Sequence, residues 1–293
     1  MDFWHRVGRI IRFSNIGTLI FFILNMLFIV AAVGQNSSMW EIAALYFITV
    51  IISLSPVGEW LLCFLAGTED IKRKDMQLRI IPLMQLVLDK ARESSCCQVK
   101  FVKLKIVHDC APNAFAIGRN TICVTEGLLE MPDELILGVL AHETGHLAYG
   151  HTALQLLIGG GNLFITGFLL LLKVITITIT ALFGLISLGM KNTAMGIITV
   201  TISMMASALL WVWTKVCKVF LMWSMRQNEF IADEYAMKLG FGYELATVID
   251  KHMCGIPRKG LFNALYNTHP YHDDRIAALQ KLGVNYSRYE YNY

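Results

Sequence analysis

His142-Glu143-Thr144-Gly145-His146 decides how the rest of this chain is read. Histidines four residues apart lie on one face of a helix. Both imidazoles can then bind one zinc ion, with the glutamate beside the metal as a general base. This reading requires a helix, and the flanking residues predict one. Pro132 suits a first helical turn, and Asp133 and Glu134 complement the positive end of the helix dipole. Leu135, Ile136, Val139, Leu140 and Leu147 make an apolar stripe, and Gly150 is a stop signal. The competing reading is a helix with two incidental histidines. A third ligand separates the two, because catalytic zinc takes three protein ligands and keeps a position open for water.

Outward from the motif the chain is unusually apolar. Of its 293 residues 55% are hydrophobic and 16% charged, against about 25% charged in a soluble domain. The net charge of +3 is too small to argue for a nucleic-acid partner. Seven scattered cysteines without a Cys-x-x-Cys pair exclude a disulfide framework and fit a reducing compartment. Four apolar runs, Ile16 to Val33, Trp40 to Ala66, Leu154 to Met190 and Ala194 to Trp223, predict four transmembrane helices. A signal peptide competes for the first run, but a second run follows almost at once. Pro56 is expected to kink the second run. Glu59 near its end is an intramembrane acid that reads most simply as reaching the interface. Lys173 is the one charge of the third run and is expected to snorkel or to face another helix.

Lys and Arg set the orientation. Gly34 to Met39 holds none, while Arg6, Arg9, Arg12, Lys72, Arg73, Lys74, Arg79, Lys215, Lys218 and Arg226 fall on the other side. The positive-inside rule therefore places both termini and the segments 67–153 and 224–293 in the cytoplasm. Two crossings separate those segments, so they can form one domain. The expected architecture is α+β, mostly α. Residues 1–66 carry a cytoplasmic stub and two membrane helices, 67–153 the first catalytic half, 154–223 two more membrane helices, and 224–293 the second half.

Within the polar segments, Met76 to Arg92 reads as an amphipathic helix and Val99 to Val107 as a strand. Ala114–Ile117 and Thr121–Thr125 read as strands flanking a Gly118-Arg119-Asn120 turn. Downstream, Arg226 to Ala236 looks helical and ends near Gly240. Glu229 and Asp233 share one face of it. Glu229 is the candidate third ligand, and Asp233 a hydrogen-bond acceptor for a ligand histidine. Ordinary solvated helix acids are the competing reading, and the residues alone favour it.

Three motifs in order, His-Glu-x-x-His at 142–146, Asn-Glu-Phe-x-Ala-Asp-x-x-Ala at 228–236 and Thr-His-Pro-x-x-x-x-Arg-Ile at 268–276, resemble the HtpX-type membrane zinc metalloproteases. That family also contains the CAAX prenyl proteases. Asn113-Ala114-Phe115-Ala116 and Val124-Thr125-Glu126-Gly127-Leu128-Leu129 extend the match upstream. The resemblance implies a cytoplasmic, gluzincin-like domain holding one zinc ion per chain. It implies His142, His146 and Glu229 as ligands, Glu143 as catalytic base and Asp233 as the partner of a ligand histidine. His269 would steady the tetrahedral intermediate, Arg275 lies near the site, and Asn113 and Ala114 belong to the strand that pairs with substrate. Thr144 departs from the apolar residue usual there. His151 lies five residues from His146, a spacing that turns it away from the metal face. The implied activity is endopeptidase cleavage in quality control of misfolded membrane proteins, a stress-response role, at a bacterial inner (plasma) membrane. A dedicated processing protease of the CAAX type and a non-catalytic membrane scaffold are the rival readings.

Overall fold

A four-stranded mixed sheet organises the polar half of the chain. The computed structural model describes residues 16–33, 54–94, 99–152, 174–187, 193–252 and 270–289, with a few isolated positions between them. His269, Lys173 and most of the run from Trp40 to Ser53 lie outside the described residues. The strands are β1 (Glu69–Asp70), β2 (Lys103–Val107), β3 (Ala114–Ile117) and β4 (Thr121–Thr125), ordered β1-β2-β4-β3. β2 runs parallel to β4, and the other two pairings are antiparallel. The β-branched stretch from Val99 becomes strand only from Lys103, the first residue to pair with β4. All five residues of β4 are buried, because both faces of the sheet are covered. Ile122 and Val124 enter the main core, while Cys123 meets Cys63 and Ile117 on the opposite face.

That opposite face is closed by α2 (Pro56–Leu65), α1 being Ile16–Val33. Pro56 does not kink a continuous span. It opens a new helix after a turn at Leu54 and Ser55, and the Ser55 hydroxyl accepts a 3.1 Å hydrogen bond from the Val57 amide. A proline ring without an N–H suits a first turn, whose amide has no helical partner. The outer face of α2 exposes Val57, Trp60, Phe64 and Leu65, with Trp60 stacked on Phe64.

The predicted amphipathic helix is α3 (Lys74–Glu93), and a one-turn α4 (Glu126–Leu129) follows β4. α5 (Asp133–Tyr149) carries the His-Glu-x-x-His motif. It starts after Pro132 and stops at Gly150 in the left-handed conformation, φ +74°, which a residue without Cβ adopts at no steric cost. Arg79 of α3 ties down its start, donating to Asp133 at 2.9 Å, to the Met131 carbonyl at 2.6 Å and to the Leu129 carbonyl. The second half of α5 is almost wholly buried. Thr144 is accommodated there because its hydroxyl donates to the Leu140 carbonyl at 2.7 Å, leaving no polar group unsatisfied.

After an apolar helix α6 (Val174–Ser187) comes α7 (Thr193–Lys238), 46 residues without a break and roughly 69 Å long at 1.5 Å per residue. The expected boundary between residues 223 and 224 falls inside this rod. Its Gly196–Trp213 stretch is apolar and unburied, long enough to cross a membrane. α1 packs against the middle of α7 through Phe21, Leu221 and Met222. The last turns of α7 press on α5, where Gly145 permits the contact: a Cβ there would sit 3.1 Å from Ala232 Cα and Tyr235 Cβ. α8 (Gly242–Lys251) and α9 (His272–Lys281) complete the core around α5 and α7.

Candidate metal centre

α5 and α7 cross so that three donors converge. Among the described residues, His142, His146 and Glu229 each offer one donor atom, all within 4.8 Å of one another and all three side chains buried. His142 Nε2 lies 3.2 Å from His146 Nε2 and 3.6 Å from Glu229 Oε2, and His146 Nε2 lies 3.4 Å from Glu229 Oε1. A tetrahedral zinc site with bonds of about 2.0–2.1 Å separates its donors by about 3.3–3.4 Å. The separations, taken to the nearer carboxylate oxygen on each side, lie close to that spacing, and two imidazoles with one carboxylate are a zinc donor set. The residues therefore fit the metal that the motif implies.

The surrounding groups hold the histidines by their other ring nitrogen. His142 Nδ1 is 2.9 Å from Asp233 Oδ1. Asp233, one helical turn beyond Glu229, also takes a two-pronged pair from Arg275, Nε to Oδ2 at 2.8 Å and Nη2 to Oδ1 at 2.6 Å. Arg275 Nη1 reaches Glu229 Oε2 at 3.3 Å. Arg275 and Asp233 are 2% and 1% exposed, so this is a fully desolvated ion pair. Burial alone would raise the Asp233 pKa, but the Arg275 guanidinium outweighs it and holds it below the usual carboxylate range. Burial alone would likewise lower His142, but hydrogen bonds to Asp233 and Glu229 lift it to about 10. Arg275, which the motif placed only near the site, thus pairs with both Glu229 and Asp233 of α7.

His146 has a different partner. Its Nδ1 lies 3.0 Å from His151 Nδ1, and His151 is 2% exposed, with Tyr149 stacked on its ring. The spacing of five does keep His151 off the metal face, but it returns the imidazole to the back of the ligand. A helix stop at Gly150 followed at once by a histidine is the sequence signal for it.

Glu143 points from α5 to the sheet. Its Oε2 accepts a 2.8 Å hydrogen bond from the Ala116 amide of β3. Burial pushes its carboxyl above the ordinary 4.5, although His142 and His146 pull the other way. β3 is an edge strand. The Asn113 carbonyl accepts from the Thr125 amide at 3.0 Å, so the Asn113 main chain faces β4. Alternation then turns the peptide groups of Ala114 and Ala116 to the open side, where Glu143 already meets Ala116. A cavity of about 610 Å³ runs along this edge, from Asn113 and Ala114 past Glu143 to Arg275, with Leu128, Met131, Val139, Leu245 and Val248 as its apolar wall. Eight of the nine sequence-predicted site residues are thereby placed; the ninth, His269, lies outside the described residues. His252 and His272 also line the cavity, and neither was singled out by any motif.

Known proteins resemble this chain in sequence and fold. The chain is similar to Protease HtpX of Ectopseudomonas mendocina, 29% identical over 228 residues that make 69% of this chain and 72% of that protein. Protease HtpX of Hahella chejuensis is 33% identical over 217 residues, 66% of this chain and 70% of that protein. A Protease HtpX homolog of Campylobacter curvus is 31% identical over 210 residues, 62% and 68% of the two chains. Among solved structures, Ste24p of S. mikatae shares the fold with a TM-score of 0.52 at 17% identity, covering 90% of this chain. The chain spans 62% of that protein's length. The model of peptidase family M48 matches residues 82–283. That stretch holds β3, both helices of the metal centre and Arg275, and the chain belongs to peptidase family M48.

Proposed function

We propose that the chain is a membrane-bound zinc endopeptidase with its active site at the cytoplasmic face. The observation that carries this is the triangle of His142, His146 and Glu229 at zinc-ligand spacing, with Glu143 beside it and an open strand edge alongside. In this reading those three residues hold the ion and Glu143 is the base. A bound zinc ion supplies Lewis acidity, polarising the scissile carbonyl and lowering the pKa of water from 15.7 to about 7.

The other steps belong to the protein. An extended substrate adds to β3 as a further strand, pairing with the outward peptide groups of Ala114 and with the Asn113 side chain. Main-chain pairing recognises backbone more than side chains, which suits broad specificity. Glu143 takes a proton from the attacking water and delivers it to the leaving amine. The Ala116 amide keeps Glu143 aimed along the cleft. Asp233 and His151 each hold one ligand imidazole by Nδ1, fixing tautomer and orientation. Arg275 keeps the α7 carboxylates charged and in place. His269 would stabilise the developing oxyanion.

The apolar Gly196–Trp213 stretch of α7, long enough to cross a membrane and continuous with the helix that carries Glu229, favours a protein of four spans whose substrates are presented at the bilayer surface. Quality control of damaged membrane proteins is the physiological role we favour over dedicated processing. The test is hydrolysis by the purified full chain in lipid nanodiscs, with a chelator and then with zinc added back. Loss and recovery of cleavage across several unrelated unfolded membrane proteins supports the reading. Cleavage confined to prenylated CAAX peptides points to dedicated processing. Stoichiometric zinc with no hydrolysis of any peptide overturns it in favour of a scaffold.

A further inference from the structure

Glu59 is the acid that the apolar run from Trp40 to Ala66 leaves unexplained, and in the folded protein it does not reach for water. Its Oε1 accepts a 2.6 Å hydrogen bond from the Thr121 hydroxyl, and its Oε2 accepts one of 3.2 Å from the Arg119 amide. Gly118, with φ +63°, lies directly beneath, where a Cβ would overlap the Glu59 carboxyl group. The Arg119 guanidinium returns the contact, donating to the Leu54 carbonyl at 2.5 Å. From the other side the Thr152 hydroxyl, two residues past the stop of α5, donates to the Gly118 carbonyl at 2.5 Å. The turn between β3 and β4 is therefore gripped by α2 and by the segment leaving α5.

From this grip we infer that Glu59 is a positioning residue for β3, holding the strand edge where it can pair with an extended peptide. The inference rests on the reading of β3 as the substrate strand. An edge strand has neighbours on one side only, so its two ends must be fixed by other means. At its start, β3 is tied by Asn113, whose amide donates to Thr125 Oγ1 at 2.9 Å. At its far end the tie from α2 is Glu59, opposite Thr152 on the other side of the turn. Two donors diverging from one turn need an acceptor with two oxygens and a side chain long enough to reach from a helix, which a glutamate supplies. Without it, the Arg119 amide and the 2%-exposed Thr121 lose their partner and the turn is free to shift. Ala116 is two residues from Gly118 and Ala114 four, so a shift of the turn moves the pairing groups. The metal-binding residues stand on α5 and α7 and stay where they are.

The test uses the full chain in nanodiscs with two zinc-dependent substrates: a peptide long enough to lie along β3, and a blocked dipeptide that contacts only the metal centre. For Glu59→Ala the KM of the long peptide rises about tenfold. Its kcat and dipeptide hydrolysis, which depend on the Ala116–Glu143 contact, fall by less than threefold, and zinc content stays at the wild-type value. Glu59→Gln, which keeps one acceptor, recovers part of the KM. Thr121→Val, which deletes the 2.6 Å bond, gives a smaller KM change that adds nothing on top of Glu59→Ala. It also serves alone should Glu59→Ala not accumulate. A wild-type KM in both variants overturns the inference while leaving the peptidase reading intact. So does a parallel fall of kcat, zinc content and dipeptide hydrolysis, which would make Glu59 a general structural residue. A wild-type protein that hydrolyses neither substrate fails the peptidase reading itself.

Discussion

Replacing Arg275 by leucine keeps the apolar bulk of the side chain and deletes the charge that Asp233 and Glu229 share. Both members of the main pair are buried to 2% exposure or less, so solvent screening does not soften the loss. Removing one partner of a buried pair costs about 3–5 kcal/mol, a large part of the 5–15 kcal/mol that typically holds a protein folded. At roughly 2–4 °C per kcal/mol, the zinc-stripped variant should melt about 6–20 °C below wild type. Asp233→Asn should be comparably costly, since it strands the guanidinium and weakens the hold on His142 Nδ1. Together the two substitutions should cost clearly less than their sum, because the second removes a charge that the first left unpaired. Thermal denaturation of the four chelated proteins in detergent measures this cycle. Additive costs, or Arg275→Leu melting with wild type, would refute the view that Arg275 neutralises the α7 carboxylates.

The remaining expectations concern the base, the ligand histidines and the packing of the helices. Because burial raises the Glu143 carboxyl above the ordinary 4.5 in the metal-free protein, its carboxyl signal in chelated protein should titrate at a midpoint above that value in NMR; a midpoint at or below 4.5 contradicts the environment described. His151→Leu should weaken zinc binding about 10- to 100-fold in a chelator competition, and His151→Asn, which restores an acceptor for His146 Nδ1, should recover part of it; equal affinities remove any part for His151. His142 is raised to about 10 in the metal-free protein, above its unfolded value near 6.5. The stability it contributes is therefore complete below pH 6.5 and lost as pH rises through 10, which melting of chelated protein at pH 6 and pH 10.5 checks; equal melting temperatures would count against it. Gly145→Val should force α5 and α7 apart where Ala232 and Tyr235 leave no room, costing about 1–3 kcal/mol and zinc affinity together; a variant with native stability contradicts that close approach.

Much of the site was legible in the sequence because its signals are local. The helix of α5 follows from Pro132, its apolar stripe and Gly150, and the four-residue spacing then orients His142 and His146 without reference to anything distant. The hairpin of β3 and β4 is written in the alternation around Gly118. Glu229 and Asp233 carry no such signal: on periodicity they are two helix acids, and only the resemblance singled them out. Arg275 and Glu59 were harder still, since they act across 42 and 62 residues of chain on Asp233 and Thr121, and a long-range partner leaves no trace in local pattern. The same holds for the parallel pairing of β2 with β4. The expected border at residue 223 follows hydropathy and carries no sign that the backbone runs through it: α7 passes from apolar to polar as one helix. At Pro56 an apolar run reads as continuous where a turn at Leu54 and Ser55 precedes a helix that starts at Pro56.

The central claim, a zinc peptidase centre built from His142, His146 and Glu229 with Glu143 as its base, is tested most directly by Glu143→Gln. Zinc per chain and peptide hydrolysis are measured on the same purified sample. The account predicts one zinc ion per chain, as in wild type, and loss of turnover. Hydrolysis at the wild-type rate by the zinc-loaded variant would contradict it.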